Sequence, residues 1–126
     1  VAKAAIRDAS VIGQWDNKFI LAKSFVDVAK GDRKVGGLER AAPKALSVMV
    51  FDQHGVHERI RLEHLESTSH SSPKPTHSQL AEVACRGAVR FGVPLSREAQ
   101  QRLLNALSTC DLPFTCAHGR TIAFPL

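Results

Sequence analysis

Two apolar-rich segments near the start of the chain flank a pair of residues that favour a tight turn. Val11–Trp15 and Lys18–Ala22 are separated by Asp16 and Asn17. Both of these residue types tolerate the positive φ that a two-residue hairpin turn requires. The pattern therefore predicts a β-hairpin over residues 10–24.

A short apolar segment in the middle of the chain ends abruptly in charged residues. It follows Lys30–Pro43, which holds three glycines and several charges and is predicted to be a loop. Leu46–Phe51 is apolar on both faces, which is typical of a central strand. We expect this strand to stop at Asp52 and a helix to begin by about Val56, so that residues 46–66 form a strand–helix unit.

A polar stretch follows the predicted helix. Ser67–Pro75 holds two prolines and four serines, and such a composition cannot bury enough apolar surface to pack, so it is predicted to be a poorly ordered linker. Thr76 and Gln79 then have the spacing of a capping box. They predict a helix that continues to Phe91 and is closed by Gly92.

The remaining elements complete the predicted fold. Ser96 is expected to cap a further helix that buries its leucines, and Thr121–Phe124 is expected to be a short terminal strand. The order is hairpin, strand, helix, linker, two helices and strand, and residues 76–126 hold the last helices and the last strand. This order predicts one α+β domain over residues 1–126, with a mostly antiparallel sheet of about four strands and helices packed on one face.

Composition and charge indicate which kind of molecule this chain would bind. The chain has 126 residues, 44% of them hydrophobic and 23% charged, which suits a single globular domain. Its net charge of +5 favours an anionic partner, nucleic acid first. No apolar run approaches the length of a membrane span. Aromatic residues make up 6% and tyrosine is absent, which argues against a base-stacking platform. The first residue is valine, so we expect a fragment or a processed piece of a longer protein.

Three cysteines are an odd number, which argues against a disulfide framework and for a reducing compartment. Cys110 precedes an aspartate at a predicted helix end and is expected to be structural. Cys116 lies two residues before His118 in a glycine-containing loop, and Cys85 lies in the middle of a predicted helix. Without a disulfide framework, the cysteine thiols are expected to be either free or bound to metal.

A candidate metal site follows from the same residue types. His54 and Glu58 are four residues apart, so a helical turn would place them on one face. With Cys85, Cys116 and His118 they supply enough nitrogen, sulfur and oxygen ligands for one zinc ion, or for two metals bridged by the glutamate.

Less specific interpretations remain open. Asp52 could simply cap a helix with a solvated charged face, and Cys85 could be a packing thiol. A nucleophilic pair of Cys116 and His118 is disfavoured, because no third group is placed to orient the base. The other histidines are expected to be solvated: His57, His64, His70 and His77.

Three separated motifs resemble the C-terminal endonuclease and dimerisation domain of MutL-family mismatch repair proteins. Asp52–Glu58 reads D-Q-H-G-V-H-E, with Glu63 five residues further on, and resembles the family motif D-Q-H-A-x-x-E-x-x-x-x-E. Ala84–Arg86 is similar to A-C-[RK], and Cys116–Arg120 is similar to C-P-H-G-R-P. The order of the motifs is that of the family, and the segment with alanine after Cys116 looks most like the subgroup called MutL homologue 3.

The resemblance implies a latent, metal-dependent endonuclease that nicks duplex DNA in the nucleus, in mismatch repair and in meiotic crossover resolution. It implies metal ligands at His54, Glu58, Cys85, Cys116 and His118, with zinc bound and manganese or magnesium supporting cleavage. It also implies that Asp52 is required for nicking, with Asp52, His54 and Glu58 as the catalytic group. The implied partner is MutL homologue 1, which forms a heterodimer through this domain.

The departures from the family pattern lie outside the ligands. Gly55 replaces an alanine, and Ala117 and Thr121 replace prolines. Ser67–Pro75 stands where the family has a helical regulatory insert, so a sliding-clamp contact carried by that insert would be missing. The alternative function is therefore a catalytically silent dimerisation module with a structural zinc site.

Two arginines beside the predicted ligands have two open roles. Arg86 and Arg120 either clamp a phosphate or form an ion pair with Asp52.

Overall fold

A four-stranded antiparallel sheet organises the chain. The computed structural model describes residues 3–27, 34–35, 38–39, 44–70 and 72–126. The helices are α1 (Lys3–Arg7), α2 (Gln53–Thr68), α3 (His77–Gly87) and α4 (Arg97–Leu107). The strands are β1 (Ser10–Trp15), β2 (Phe19–Asp27), β3 (Lys34–Val35), β4 (Leu38–Glu39), β5 (Lys44–Asp52) and β6 (Ala123–Pro125). The main sheet has the order β1-β2-β5-β6 with every neighbouring pair antiparallel, which confirms the predicted α+β class.

The first two strands form the predicted hairpin, but residues 16–18 connect them, one residue more than the predicted two-residue turn. Trp15 pairs with Phe19, and the turn between them places Asp16 at φ 54° and Asn17 at φ 49°. Two successive residues of positive φ give a turn whose twist matches that of the strands. The second strand continues to Asp27 and pairs with β5 along its whole length.

Alternate residues of the two central strands face the helices. Ile20 and Ala22 of β2 lie opposite Phe51 and Met49 of β5, and all four are buried. The core cluster also takes side chains from the helices and the C-terminal segment: Ile6, Val56, Leu104, Leu107 and Ile122. This face of the sheet therefore carries the helices, as predicted.

The strand-to-helix turn is tighter than predicted. Helix α2 begins at Gln53, directly after β5, rather than near Val56. Asp52 is its N-cap, and Asp52 Oδ1 accepts a hydrogen bond from the backbone N–H of Gly55 at 2.9 Å. An N-cap carboxylate satisfies a backbone donor that has no partner within the helix.

Helix α3 starts as predicted and ends early. Thr76 and Gln79 form the reciprocal bonds of a capping box. The helix then stops at Gly87. The prediction that it continues to Phe91 was wrong. The guanidinium of Arg61 lies against Gly87, where a Cβ would overlap it. The backbone of the next segment is bound by side chains of α2 instead of by the helix.

The remaining predictions on connections have mixed outcomes. Helix α2 continues to Thr68, so it includes the first two residues of the predicted linker, and Ser71 lies outside the described residues. The predicted loop over 30–43 contains the paired strands β3 and β4. The other residues of this predicted loop lie outside the described residues. Within the described residues, no helix combines the length and the apolar character needed to cross a membrane.

Candidate metal centre

The first two turns of α2 place two predicted ligands side by side. His54 and Glu58 lie one helical turn apart, with 3.3 Å between His54 Nε2 and Glu58 Oε2. Glu58 is only 2% exposed, although it is a carboxylate. A buried carboxylate requires polar or cationic neighbours, because its desolvation is costly.

Helix α3 brings the first thiol to this pair. Cys85 Sγ lies 3.5 Å from His54 Nε2. One ligand atom each of His54, Glu58 and Cys85 falls within 4.8 Å of the others. A nitrogen, an oxygen and a sulfur at this spacing form the kind of donor set that zinc accepts.

The C-terminal loop brings a second group to the same carboxylate. Ligand atoms of Glu58, Cys116 and His118 also lie within 4.8 Å of one another, and His118 Nδ1 is 3.0 Å from Glu58 Oε1. The loop is a tight turn in which Gly119 N–H donates to the Cys116 carbonyl at 3.0 Å. Gly119 has φ 80°, a conformation that glycine adopts without steric cost.

Glu58 thus belongs to both groups of ligand atoms. Its Oε2 lies next to the imidazole of His54, and its Oε1 lies next to the imidazole of His118. Burial raises the pKa of Glu58, but the hydrogen bonds from Cys85 and His118, with the positive charge that His118 and His54 carry when protonated, outweigh it and hold the pKa below its ordinary value. The carboxylate is therefore ionised at neutral pH. Burial, with the adjacent Glu58 carboxylate, raises the pKa of the Cys85 thiol. A cation between these groups would reverse that effect, because it stabilises the thiolate.

The hydrogen bond at the other side of the His54 ring defines which nitrogen faces the ligands. His54 Nδ1 lies 2.9 Å from the carbonyl oxygen of Val89. A carbonyl only accepts, so Nδ1 carries the proton. In the neutral ring, Nε2 then presents a lone pair to a carboxylate oxygen and a sulfur, which is the arrangement of a metal ligand with an oriented outer partner.

Asp52 and the two arginines lie outside these groups. Asp52 is the N-cap, as the less specific interpretation had it. Arg86 forms an ion pair with Glu82, and Arg120 is exposed, with its carbonyl accepting from Cys116 N–H. Among the described residues no ion pair joins either arginine to Asp52.

Sequence reasoning missed the residues that hold the ligand loops in place. Arg59 is buried, its Nε donates to the Thr115 carbonyl at 2.7 Å and its Nη2 donates to the Cys116 carbonyl at 3.0 Å. Glu63 accepts from the N–H groups of Asp111 and Leu112. The signal available in the sequence was the Arg59/Glu63 pair at a four-residue spacing, which resembles an ordinary surface pair.

The prediction for His57 was wrong. This ring is half-buried, and its Nδ1 accepts the N–H of Val89 at 2.9 Å. Burial, together with the charge of Arg61 and of His54, lowers the pKa of His57.

The sheet, the one-sided helices and the shared carboxylate define an α+β domain with a candidate metal centre of histidine, cysteine and glutamate. The chain is similar in sequence to DNA mismatch repair proteins of the MutL family. It is 44% identical over 71 residues to the DNA mismatch repair protein Mlh3 of Homo sapiens. This match covers 54% of this chain and 5% of that protein.

Two further relatives show the same similarity. The DNA mismatch repair protein MutL of Methanoculleus marisnigri is 40% identical over 81 residues, 64% of this chain and 14% of that protein. The DNA mismatch repair protein MLH3 of Saccharomyces cerevisiae is 46% identical over 59 residues, 45% of this chain and 8% of that protein. The matches thus span from 5% to 14% of the length of these relatives. No family model matches the chain.

Proposed function

We propose that this chain forms the site of a latent, metal-dependent endonuclease that nicks one strand of duplex DNA. The observation that carries the proposal is the buried carboxylate of Glu58, which is shared by two groups of ligand atoms. A lone structural zinc site needs only one such group, whereas a carboxylate between two groups suits a pair of metals.

The proposed ligands divide by the chemistry of their donor atoms. His54 and Cys85 on one side of Glu58, and Cys116 and His118 on the other, are nitrogen and sulfur donors that bind zinc. The carboxylates of Glu58 and Asp52 are the hard oxygen donors that manganese or magnesium prefers. When bound, such ions would lower the pKa of a coordinated water and neutralise charge on the phosphate.

In this proposal Asp52, His54 and Glu58 form the catalytic group. Asp52 uses Oδ1 to cap α2, which fixes its carboxylate at the end of β5. Glu58 and His54 are held one turn further along the same helix. Arg86 and Arg120 are exposed beside two of the ligands, and we propose that they bind DNA phosphates.

The proposed setting is the nucleus, in mismatch repair and in the resolution of meiotic crossovers, with duplex DNA as substrate. It is supported by the similarity to the two Mlh3 proteins and by the net charge of +5. The proposed partner subunit is MutL homologue 1. A sliding-clamp contact would require parts of the protein outside this chain.

The decisive experiment is a nicking assay on supercoiled plasmid, with the partner subunit and manganese. We expect conversion to the open-circular form that a chelator abolishes. Asp52→Asn should abolish it too, while its amide oxygen still caps α2 and preserves the thermal transition. Nicking that survives in Asp52→Asn, or in chelator, would contradict the endonuclease assignment. Metal analysis of the purified chain should give about one to two zinc ions.

A second candidate is the silent dimerisation module, which an exposed apolar surface favours. On the sheet face opposite the helices, Phe25 is 58% exposed, Leu46 is 60% exposed and Phe124 is 42% exposed. Phe25 lies directly across from Leu46 in the β2–β5 ladder. Stable association with a MutL-family subunit, without nicking under any metal, would favour this candidate.

A further inference from the structure

The backbone on both sides of Val89 is bound by two histidines of one helix. His54 Nδ1 is 2.9 Å from the Val89 carbonyl, and Val89 N–H is 2.9 Å from His57 Nδ1. The carbonyl can only accept and the N–H can only donate. The two rings therefore use the same ring atom in opposite roles: Nδ1 of His54 is a donor, and Nδ1 of His57 is an acceptor.

These opposite roles have different consequences for the two rings. The donor role of His54 Nδ1 leaves its Nε2 directed at Glu58 Oε2, 3.3 Å away, and at Cys85 Sγ, 3.5 Å away. The acceptor role of His57 Nδ1 removes that ring from the ligand set and commits it to the backbone of Val89. Neither of the two ligand groups includes His57.

We propose that His57 is a positioning residue for the metal centre. By holding the Val89 N–H it fixes the Val89 carbonyl, and that carbonyl keeps the His54 ring protonated on Nδ1, with Nε2 free toward Cys85 and Glu58. The inference rests on the proposed metal site for its effect on metal affinity, and on the hydrogen bonds alone for its effect on the His54 ring.

The rest of this segment has other attachments, so loss of His57 would act locally. Gln53 Nε2 donates to the Arg90 carbonyl at 2.9 Å, and Gly92 N–H donates to the Asn17 carbonyl at 2.8 Å. The segment after Val89 therefore stays bound to α2 and to the hairpin turn. What His57 adds is the orientation of the peptide groups next to Val89.

The test uses substitutions that differ in one acceptor atom. His57→Phe keeps a ring and removes the acceptor. His57→Asn places an amide oxygen close to the position of Nδ1, whereas His57→Gln places it near the position of Nε2. His64→Phe is the matched control, because His64 is an exposed histidine of the same helix.

Two measurements are made on each variant of the 126-residue chain. Competition with a chromogenic zinc chelator gives the zinc dissociation constant, and nitrogen-15 NMR of the imidazoles gives the protonated nitrogen of His54. In the wild type we expect His54 to be protonated on Nδ1. His57→Phe should give a mixture of ring states and weaken zinc binding by about 10-fold to 100-fold, the usual effect of losing an outer partner of a ligand. His57→Asn should restore both properties, and His64→Phe should change neither.

Each outcome decides the inference. If His57→Phe leaves His54 protonated on Nδ1 and the zinc constant within about two-fold of the wild type, His57 has no positioning role. If His57→Phe does not give a cooperative thermal transition, the Asn and Gln variants decide, and equal behaviour of the two overturns the proposal. If the wild type binds no zinc, the proposed function fails, while the His54 ring state still tests the effect of His57.

Discussion

At Gly55 the first turn of α2 approaches the C-terminal segment closely enough to exclude a side chain. A Cβ built there would overlap the Cγ2 methyl of Ile122, which is buried. The family motif has alanine at this position, whereas the glycine of this chain leaves room for the Ile122 methyl. The helix would otherwise gain about 1 kcal/mol from alanine in place of glycine.

We predict that Gly55→Ala destabilises this chain, by about 1–2 kcal/mol, because overpacking exceeds the gain in helix propensity. Urea unfolding measures the change. Ile122→Leu moves the branch away from Cβ, so adding it to Gly55→Ala should recover most of the loss. If the two substitutions are simply additive, the overlap with Ile122 does not account for the glycine.

Cys110 gives a prediction for alkaline pH. Burial, with the charge of Glu63, raises the pKa of this thiol to about 11. A pKa raised in the folded state contributes stability that is fully present below the unfolded value of 9.0 and is lost as pH rises toward 11. We expect the free energy of unfolding to fall by up to about 2 kcal/mol more in the wild type than in Cys110→Ala between these pH values. Parallel pH profiles of the two chains would refute the shift.

The residues that form the candidate metal centre were predictable as a group, because their residue types and spacings are visible along the chain. His54 and Glu58 needed only a helical turn, and Cys116 and His118 needed only a tight loop. The supporting residues were not predictable, because their partners are backbone groups 32 to 57 residues away in sequence. Nothing in the local pattern distinguishes His57 from a solvated histidine of a charged helix.

At the scale of elements, α2 carries two of the candidate ligands, His54 and Glu58, and the side chains that position the neighbouring loops. Arg59 binds the carbonyls of Thr115 and Cys116, and its Nη1 lies 3.5 Å from Glu63. The same features explain why α3 ended early. The end of α3 was predicted from Gly92 in the local sequence, whereas Arg61 and the two histidines of α2 determine the end in the fold.

We predict that Arg59→Met destabilises the fold by about 2–4 kcal/mol, because it leaves buried carbonyls and Glu63 without their donor. Arg102→Met, at an exposed arginine of α4, is the matched control and should change stability by less than about 0.5 kcal/mol. Urea denaturation of the two variants provides the comparison. Equal stability of both would mean that the Arg59 bonds contribute no net free energy.

At the scale of the whole molecule, the sheet has one face covered by helices and one that is open in the described part of the chain. The sequence of β5 is apolar on both faces, which predicted a central strand buried on both sides. The strand is central, between β2 and β6, as predicted. Met49 and Phe51 on one face and Val50 on the other are buried, whereas Leu46 is 60% exposed. A single sequence does not reveal whether a second apolar face is covered within the chain or by another molecule.

If the open face binds a partner MutL-family subunit, a charge at its centre should prevent association without affecting the fold. We predict that Leu46→Lys weakens the complex at least 10-fold, because an unpaired charge would be buried in an apolar interface. Leu112→Lys is the matched control, since Leu112 is also 60% exposed but lies after α4, away from the sheet. Sedimentation of each variant with the partner subunit measures the affinity. If both variants lose the same affinity, or if neither loses affinity, the partner binds elsewhere. Of the two leucines, only Leu46 lies opposite Phe25 in the β2–β5 pair.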